Sequence, residues 1–170
     1  LMTIREARGK LSGARISYIG DGNNVAHSLI LASGLLGLDL IVAAPKGYDP
    51  DPAVLDEDHR IWRGKGQPPR VVRDPAEDVS GADFLYTDVW TSMGQERETK
   101  KRLKAFRGYQ LDAQLLARAN PGAGVMHCLP AHRGEEITDA VMDGPHSVVF
   151  DEAENRLHVQ KAILALLLRS

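Results

Sequence analysis

Short apolar runs alternate with amphipathic segments along the whole chain of 170 residues. The apolar runs are too short for helices, and most end at or near glycine, proline or aspartate, which is typical of buried strands. They predict strands over residues 15–20, 38–43, 70–72, 83–88 and 124–127, and a further extended segment over 147–150. Helical spacing between them predicts helices over 1–8, 23–37, 52–63, 96–106, 112–119, 135–142 and 152–169.

This alternation predicts an α/β protein with a parallel sheet. The strands are apolar on both faces, so helices must cover the sheet on both sides. The prediction is therefore a three-layer, Rossmann-like domain with a parallel sheet of about five strands flanked by helices. Such sheets bind ligands at the carboxyl ends of their strands, so the residues that follow each strand are the candidates for chemistry.

Composition narrows the class of protein. A net charge of −2 argues against a nucleic-acid partner. The single cysteine excludes an internal disulfide and fits a reducing compartment such as the cytoplasm. The apolar stretch 162–168 is shorter than the ~20 residues of a membrane span, so no membrane partner is expected. The chain opens at Leu1 within a helical pattern, which suggests a fragment of a longer protein.

The first polar motif, Gly-Asp-Gly-Asn-Asn at 20–24, lies between a strand and a helix, as phosphate and dinucleotide loops do. Val25 stands in place of the third glycine of the dinucleotide fingerprint, and no acidic residue ends the second strand. Both departures disfavour a nicotinamide cofactor. Asn23 and Asn24 either present amides to a polar ligand or cap the helix.

The second motif runs from Thr87 to Glu96 and places Asp88 at the carboxyl end of the fourth strand. A carboxylate there can hold a substrate ammonium, or it can cap the following turn. Ser92, Met93 and Gly94 follow it in a loop with a small hinge residue.

The third motif, His-Cys-Leu-Pro-Ala-His-Arg-Gly at 127–134, holds the only cysteine. Cys128 is a candidate nucleophile, ligand or proton carrier, although a free cysteine is commonly just a buried small residue. One cysteine with His127 and His132 is a poor zinc set. The Leu129–Pro130 bond is a candidate cis peptide.

The fourth motif, Phe-Asp-Glu-Ala-Glu-Asn-Arg at 150–156, opens the last helix, with Asp151 as its predicted cap. Arg156 lies near the positive end of that helix, where a cation loses ~0.3–1 kcal/mol. It either pairs with Glu152 at four-residue spacing or binds an anion together with the helix end.

In this order the four motifs resemble the ornithine carbamoyltransferase family, specifically its second, ornithine-binding domain. The resemblance runs along nearly the whole chain, and the Ser-Met-Gly and His-Cys-Leu-Pro segments separate it from the aspartate carbamoyltransferases. The family transfers the carbamoyl group of carbamoyl phosphate to the δ-amine of L-ornithine, giving L-citrulline and phosphate. It uses no metal or organic cofactor, and its product serves arginine biosynthesis or, in reverse, ornithine formation.

The resemblance also implies roles for residues of this chain. Ornithine would be bound by Asn24, Asp88, Ser92 and Met93. Carbamoyl phosphate would be contacted by Cys128, Leu129 and Arg156, and the catalytic pair would be Cys128 and Asp88. Deprotonating the amine at neutral pH costs about 4 kcal/mol. Asp88 opposes that step and also raises the thiol pKa, so Cys128 is expected to orient the amine and handle its proton.

The family's first domain carries a Ser-Thr-Arg-Thr phosphate loop and a His-Pro-Cys segment, and neither occurs in this chain. Residues 1–170 are therefore expected to be the second domain alone, inactive without the carbamoyl-phosphate domain, and part of a homotrimer in the complete enzyme. Two alternatives remain open. The amine substrate could be another one, such as putrescine, or the fragment could bind an amino acid without catalysis.

Overall fold

A computed structural model describes residues 1–62, 68–92 and 94–169. The five strands are β1 Arg15–Ile19, β2 Asp39–Ala43, β3 Arg70–Val72, β4 Phe84–Thr87 and β5 Gly124–His127. The helices are α1 Met2–Arg8, α2 Asn24–Leu36, α3 Pro52–Ile61, α4 Pro75–Asp78, α5 Thr99–Ala105, α6 Ala113–Leu116, α7 Asp139–Met142 and α8 Val149–Leu167, with a 3₁₀ turn at Glu96–Glu98 before α5. Met93 and the predicted helix end at residue 63 lie outside the described residues.

The strands form one parallel sheet in the order β3-β2-β1-β4-β5, which confirms the predicted fold class. Alternate residues of each strand enter two separate apolar clusters. Leu85 and Val125 lie in one cluster with Phe106, while Tyr86 and Met126 lie in the other. Both faces of the sheet are therefore buried under helices, as the continuous apolar runs predicted.

Several predicted elements differ from the structure, among them the helix predicted over 112–119, which covers only α6. The helix predicted over 135–142 covers only α7, because the backbone of Ile137 pairs instead with Leu111 and Arg133. The segment predicted as extended over 147–150 pairs only at Ser147, and α8 begins at Val149. The predicted cap Asp151 is wrong, because it lies in the first turn of α8, whose N-cap is Val148 without a side-chain bond.

The last helix is the most exposed element. Only Val149 and Asn155 of α8 are buried, and its later turns expose apolar side chains, among them Ile163, Leu164 and Leu166. Glu6 and Thr3 of α1 accept hydrogen bonds from Asn155 Nδ2, which fastens the first half of α8 to the domain. None of the described helices is long and apolar enough to cross a membrane.

Candidate functional site at the carboxyl edge of the sheet

The loops after β1, β4 and β5 leave the sheet side by side. Ile19 pairs with Thr87, and Thr87 pairs with His127. The next residues, Gly20, Asp88 and Cys128, therefore stand at one level of the carboxyl edge. The strand order also reverses between β1 and β4, and this switch point is where open α/β sheets bind their ligands.

Three hydrogen-bond donors converge on the carboxylate of Asp88 at this edge. Its side chain accepts hydrogen bonds from Asn23 Nδ2 at 2.8 Å, from the Cys128 thiol at 3.0 Å and from the backbone N–H of Val89 at 2.8 Å. The residue is only 6% exposed, yet within the described ranges no lysine, arginine or histidine forms an ion pair with it. A buried carboxylate with neutral donors alone is electrostatically incomplete, so a cationic ligand would stabilise it.

The Cys128 thiol is held in its neutral form. Burial raises the thiol pKa, and the hydrogen bond to Asp88 and the negative charges of Asp88 and Glu152 raise it further. The expected direction of the shift is thus confirmed. A thiolate nucleophile needs the opposite environment, with a lowered pKa, so covalent catalysis by Cys128 is disfavoured.

The glycine loop after β1 is closed to a dinucleotide. Asn23 Oδ1 already accepts hydrogen bonds from the N–H groups of Val25 and Ala26, which a pyrophosphate would need. A Cβ on Gly22 would lie 2.2 Å from the backbone nitrogen of Pro50, so the neighbouring loop fills the remaining space. Asn23 serves as helix cap and as partner of Asp88, and the exposed Asn24 is left for a ligand.

One cleft at this edge, here called the Asn24 cleft, has a volume of about 660 Å³. That volume suits a small-molecule ligand. The lining includes Asn24, Ser92, Tyr48, Asp21 and Arg102. Of the residues predicted to bind ornithine, Asn24 and Ser92 line it, while Met93 lies outside the described residues.

A second cleft, here called the Arg156 cleft, has a volume of about 630 Å³ and is lined by Cys128, Leu129, Phe150, Arg156 and Leu157 among others. The alternative pairing of Arg156 with Glu152 does not occur, because Glu152 instead accepts from Tyr86 Oη at 2.7 Å and from His127 N at 3.1 Å. Arg156 is exposed and makes no ion pair with any residue that the structure describes.

The clefts are lined by five of the seven predicted site residues, and a sixth, Asp88, lines neither cleft but contacts residues of both. Asn24 and Ser92 line one cleft, Cys128, Leu129 and Arg156 line the other, and Asp88 contacts both groups through Asn23 and Cys128. The Leu129–Pro130 bond is cis and Leu129 has φ of 59°, so the turn after Cys128 is tightly bent.

Sequence reasoning missed the residues that support this turn. His127 Nε2 lies 3.2 Å from Glu136 Oε1, and both side chains are fully buried. Leu129 N donates to His127 Nδ1 at 2.9 Å. Burial raises the pKa of Glu152, whose carboxyl group holds the end of β5. Only the spacing of polar residues around the cysteine hinted at such a network.

Asp88, His127 and Cys128 also lie close enough together to share a metal ion. Both ring nitrogens of His127 have protein partners, and the Cys128 proton lies on the bond to Asp88. A metal would have to displace these contacts. The arrangement is therefore better suited to proton transfer and orientation than to metal binding.

Comparison with known proteins places this site in a family context. Residues 12–167 match the model of the family described as aspartate/ornithine carbamoyltransferase, Asp/Orn binding domain. The chain is 56% identical over 168 residues to the ornithine carbamoyltransferase of Gloeobacter violaceus, which covers 99% of this chain and 54% of the relative. The chain thus spans about half the length of the curated relatives that it matches.

Solved structures of ornithine carbamoyltransferases have the same fold as this chain. The ornithine carbamoyltransferase of Pyrococcus furiosus superposes with a TM-score of 0.91 at 52% identity, over 97% of this chain and 53% of the other. The anabolic ornithine carbamoyltransferase of Campylobacter jejuni superposes with a TM-score of 0.91 at 34% identity, over 97% and 55%. Similarity on this scale covers the sheet and all three site loops.

Proposed function

The chain belongs to the Asp/Orn-binding-domain family of aspartate/ornithine carbamoyltransferases, and we propose that it supplies the amine-substrate half of an ornithine carbamoyltransferase. The reaction is transfer of the carbamoyl group from carbamoyl phosphate to the δ-amine of L-ornithine, with L-citrulline and phosphate as products. The relatives that bear this name support the choice of substrate.

The observation that carries the proposal is the buried, unneutralised carboxylate of Asp88. Its oxygens are oriented by Asn23, Val89 and Cys128, none of which brings a positive charge. An alkyl ammonium would supply that charge beside Asp88, which contacts Asn23 of the Asn24 cleft and Cys128 of the Arg156 cleft. Asn24 and Ser92 lie on the Asn24 cleft, so they would hold the amino-acid head of ornithine.

The amine must lose a proton before it attacks, and the Cys128–Asp88 pair offers a route. The thiol donates to Asp88 Oδ1 at 3.0 Å. As Sγ accepts a proton from the ammonium, its own proton can move to Asp88, so no free thiolate is needed. The thiol thereby handles the amine proton although its own pKa is raised.

The Arg156 cleft fits the second substrate. Arg156, which has no ion-pair partner among the described residues, presents its guanidinium beside Leu129 and Cys128, and a guanidinium binds phosphate oxygens in a bidentate manner. We assign Cys128, Leu129 and Arg156 to carbamoyl phosphate. The first turns of α8 line this cleft, and the exposed apolar residues of α8 would pack against the carbamoyl-phosphate domain of the complete enzyme. We further propose a homotrimer in the cytoplasm for that enzyme, and citrulline for arginine biosynthesis as its product.

A fusion protein tests the proposal. The chain is joined behind the amino-terminal half of the Gloeobacter violaceus relative, and carbamoylated products are measured with L-ornithine, putrescine and L-aspartate. We expect citrulline, with kcat/KM for ornithine at least about 100-fold above that for the other amines, because each loses a charged or polar contact. A preference for putrescine would replace the proposed substrate. Ornithine binding without any product would indicate an amino-acid-binding fragment.

A further inference from the structure

One guanidinium connects the loops around the Asn24 cleft. Arg102 of α5 donates through Nη1 to Asp21 Oδ2 at 2.6 Å and to the carbonyl oxygen of Trp90 at 2.9 Å. Its Nε donates to Glu98 Oε2 at 3.2 Å, and its Cζ lies 5.0 Å from the centre of the Tyr48 ring. The loops after β1, β2 and β4 therefore all contact the same side chain.

This contact is buried, although it lies in the wall of a cleft. The side chains of Arg102 and Asp21 are 8% and 10% exposed. Burial raises the pKa of Asp21, and the guanidinium opposes that shift. A buried ion pair adds little net stability, because desolvation offsets the attraction, so its presence calls for a role other than stability alone.

The contacts of Arg102 lie close in sequence to the ligand-facing residues. Asp21 stands two residues before Asn23, which orients Asp88, and three before Asn24. Trp90 stands two residues before Ser92. A shift of the guanidinium would move both loops, whereas the turn at Cys128 and Leu129 has its own support in His127 and Glu136.

We propose that Arg102 is a positioning residue for the amine substrate, which fixes the loops after β1 and β4 relative to each other so that Asn24, Asp88 and Ser92 form one site. The inference rests on the proposed function, because it takes ornithine as the ligand of the Asn24 cleft. Arg102 need not touch the substrate. The Arg156 cleft does not depend on it.

Arg102→Lys in the fusion protein is the main test, since lysine keeps the charge but lacks the planar guanidinium that reaches Asp21 and Trp90 through Nη1 and Glu98 through Nε at the same time. The KM for ornithine should rise about tenfold, while the KM for carbamoyl phosphate stays within about twofold. Arg8→Lys is the matched control, because Arg8 likewise has three partners, one carboxylate and two carbonyls, at the opposite edge of the sheet. It should leave both KM values unchanged. Equal changes in both KM values of R102K, or none, would overturn the proposal.

A double variant separates positioning from stability. Arg102→Met leaves Asp21 buried and unpaired, so it should lower both thermal stability and ornithine affinity. Adding Asp21→Asn removes the unpaired charge and should restore much of the melting temperature but not the ornithine affinity, because Trp90 and Glu98 stay unlinked. If affinity returns together with stability, Arg102 has only a structural role.

Hydrogen exchange keeps the two proposals distinguishable. In R102K, amides of residues 20–24 and 88–92 should exchange faster than in the wild type, and those of the turn after β5 should not. This readout needs no turnover. A wild-type fusion that makes no citrulline would refute the proposed function, whereas unchanged exchange in R102K would refute the positioning role of Arg102.

Discussion

The two clefts at the carboxyl edge differ in how far their side chains are already arranged. In the Asn24 cleft the buried groups bind one another: Asn23 holds Asp88, and Arg102 holds Asp21. In the Arg156 cleft Arg133 is paired with Asp143, but Arg156 has no ion-pair partner among the described residues, and the neighbouring Phe150 and Leu157 are 63% and 65% exposed. The polar side chains around the Asn24 cleft are thus already held in place by their neighbours, whereas the Arg156 cleft is bordered by exposed side chains that nothing in the described chain covers.

This difference shows which part of the proposed reaction the chain can organise by itself. Fixed hydrogen-bond partners pre-organise a site and lower the entropy lost on binding. An exposed arginine on a helix with an uncovered apolar face gains its order only when another surface packs against it. The chain spans about half of its relatives, which is consistent with a second surface supplied by the remainder.

The largest effect should come from Asp88→Asn. The variant removes the carboxylate proposed to bind the ammonium, so kcat/KM for ornithine in the fusion protein should fall at least about 100-fold, equivalent to about 3 kcal/mol. The KM for carbamoyl phosphate should change little. Asp83→Asn is the control, because Asp83 pairs with Arg8 at the far edge of the sheet. If kcat/KM fell equally for ornithine and carbamoyl phosphate, the assignment of the two substrates to different clefts would be contradicted.

Arg156→Ala should have the opposite effect, weakening carbamoyl phosphate binding rather than ornithine binding. Loss of the guanidinium should raise the KM for carbamoyl phosphate roughly tenfold or more and leave ornithine affinity nearly intact. Arg156→Lys keeps the charge without the bidentate geometry, so its KM for carbamoyl phosphate should lie between those of the wild type and Arg156→Ala. The competition of inorganic phosphate with carbamoyl phosphate provides the measurement. A loss confined to ornithine would contradict the assignment of this cleft.

A smaller effect is expected at Cys128, which lines the Arg156 cleft and donates to Asp88. Cys128→Ser should lower turnover about tenfold, because a hydroxyl is a weaker relay to Asp88 than a thiol. Since burial and Asp88 raise the thiol pKa, the thiol stays neutral at neutral pH, and the variant should depend more on amine that is already free. The acidic limb of the pH–rate profile should therefore move to higher pH. An unchanged profile would remove Cys128 from proton handling.

The smallest effect concerns stability. Burial raises the pKa of Glu152, so the folded state holds this proton more tightly than the unfolded state does. Its contribution to stability is then lost as pH rises from the unfolded pKa to the folded one. Between acid and neutral pH, the free energy of unfolding of Glu152→Gln should rise relative to that of the wild type by about 1 kcal/mol or less. Thermal unfolding at several pH values measures this; a constant difference would contradict it.

Local pattern predicted the sheet well and the ends of the chain's helices less well. Four of the five described strands are largely buried apolar runs, so the pattern alone locates them, and the partly exposed β3 was found from its Val-Val pair. The residues at 135–138 have helical spacing, but their backbone pairs with Leu111 and Arg133, a tertiary contact that spacing does not reveal. The short helix α4 was missed despite a recognisable start, with Asp74 as cap and Pro75 in its first turn.

Some residues of the candidate site could be predicted from the sequence, and others could not. Asp88 and Cys128 could be predicted because each directly follows a strand, and strand ends meet at one edge. Arg102 and Glu152 could not, because their partners are distant in sequence: Asp21 is 81 residues from Arg102, and Tyr86 is 66 from Glu152. Spacing identifies candidate ligands, whereas the residues that hold them in place emerge only from packing.

Hydrogen exchange of the fusion protein with and without saturating ornithine tests the central claim most directly, because it locates the amine site without relying on turnover. We expect ornithine to slow exchange in residues 20–24 and 88–102. We expect no change in the separate cleft at the amino edge, which Arg8, Asp83, Asn120 and His146 line. Protection confined to that amino-edge cleft, or no protection at all, would contradict the claim.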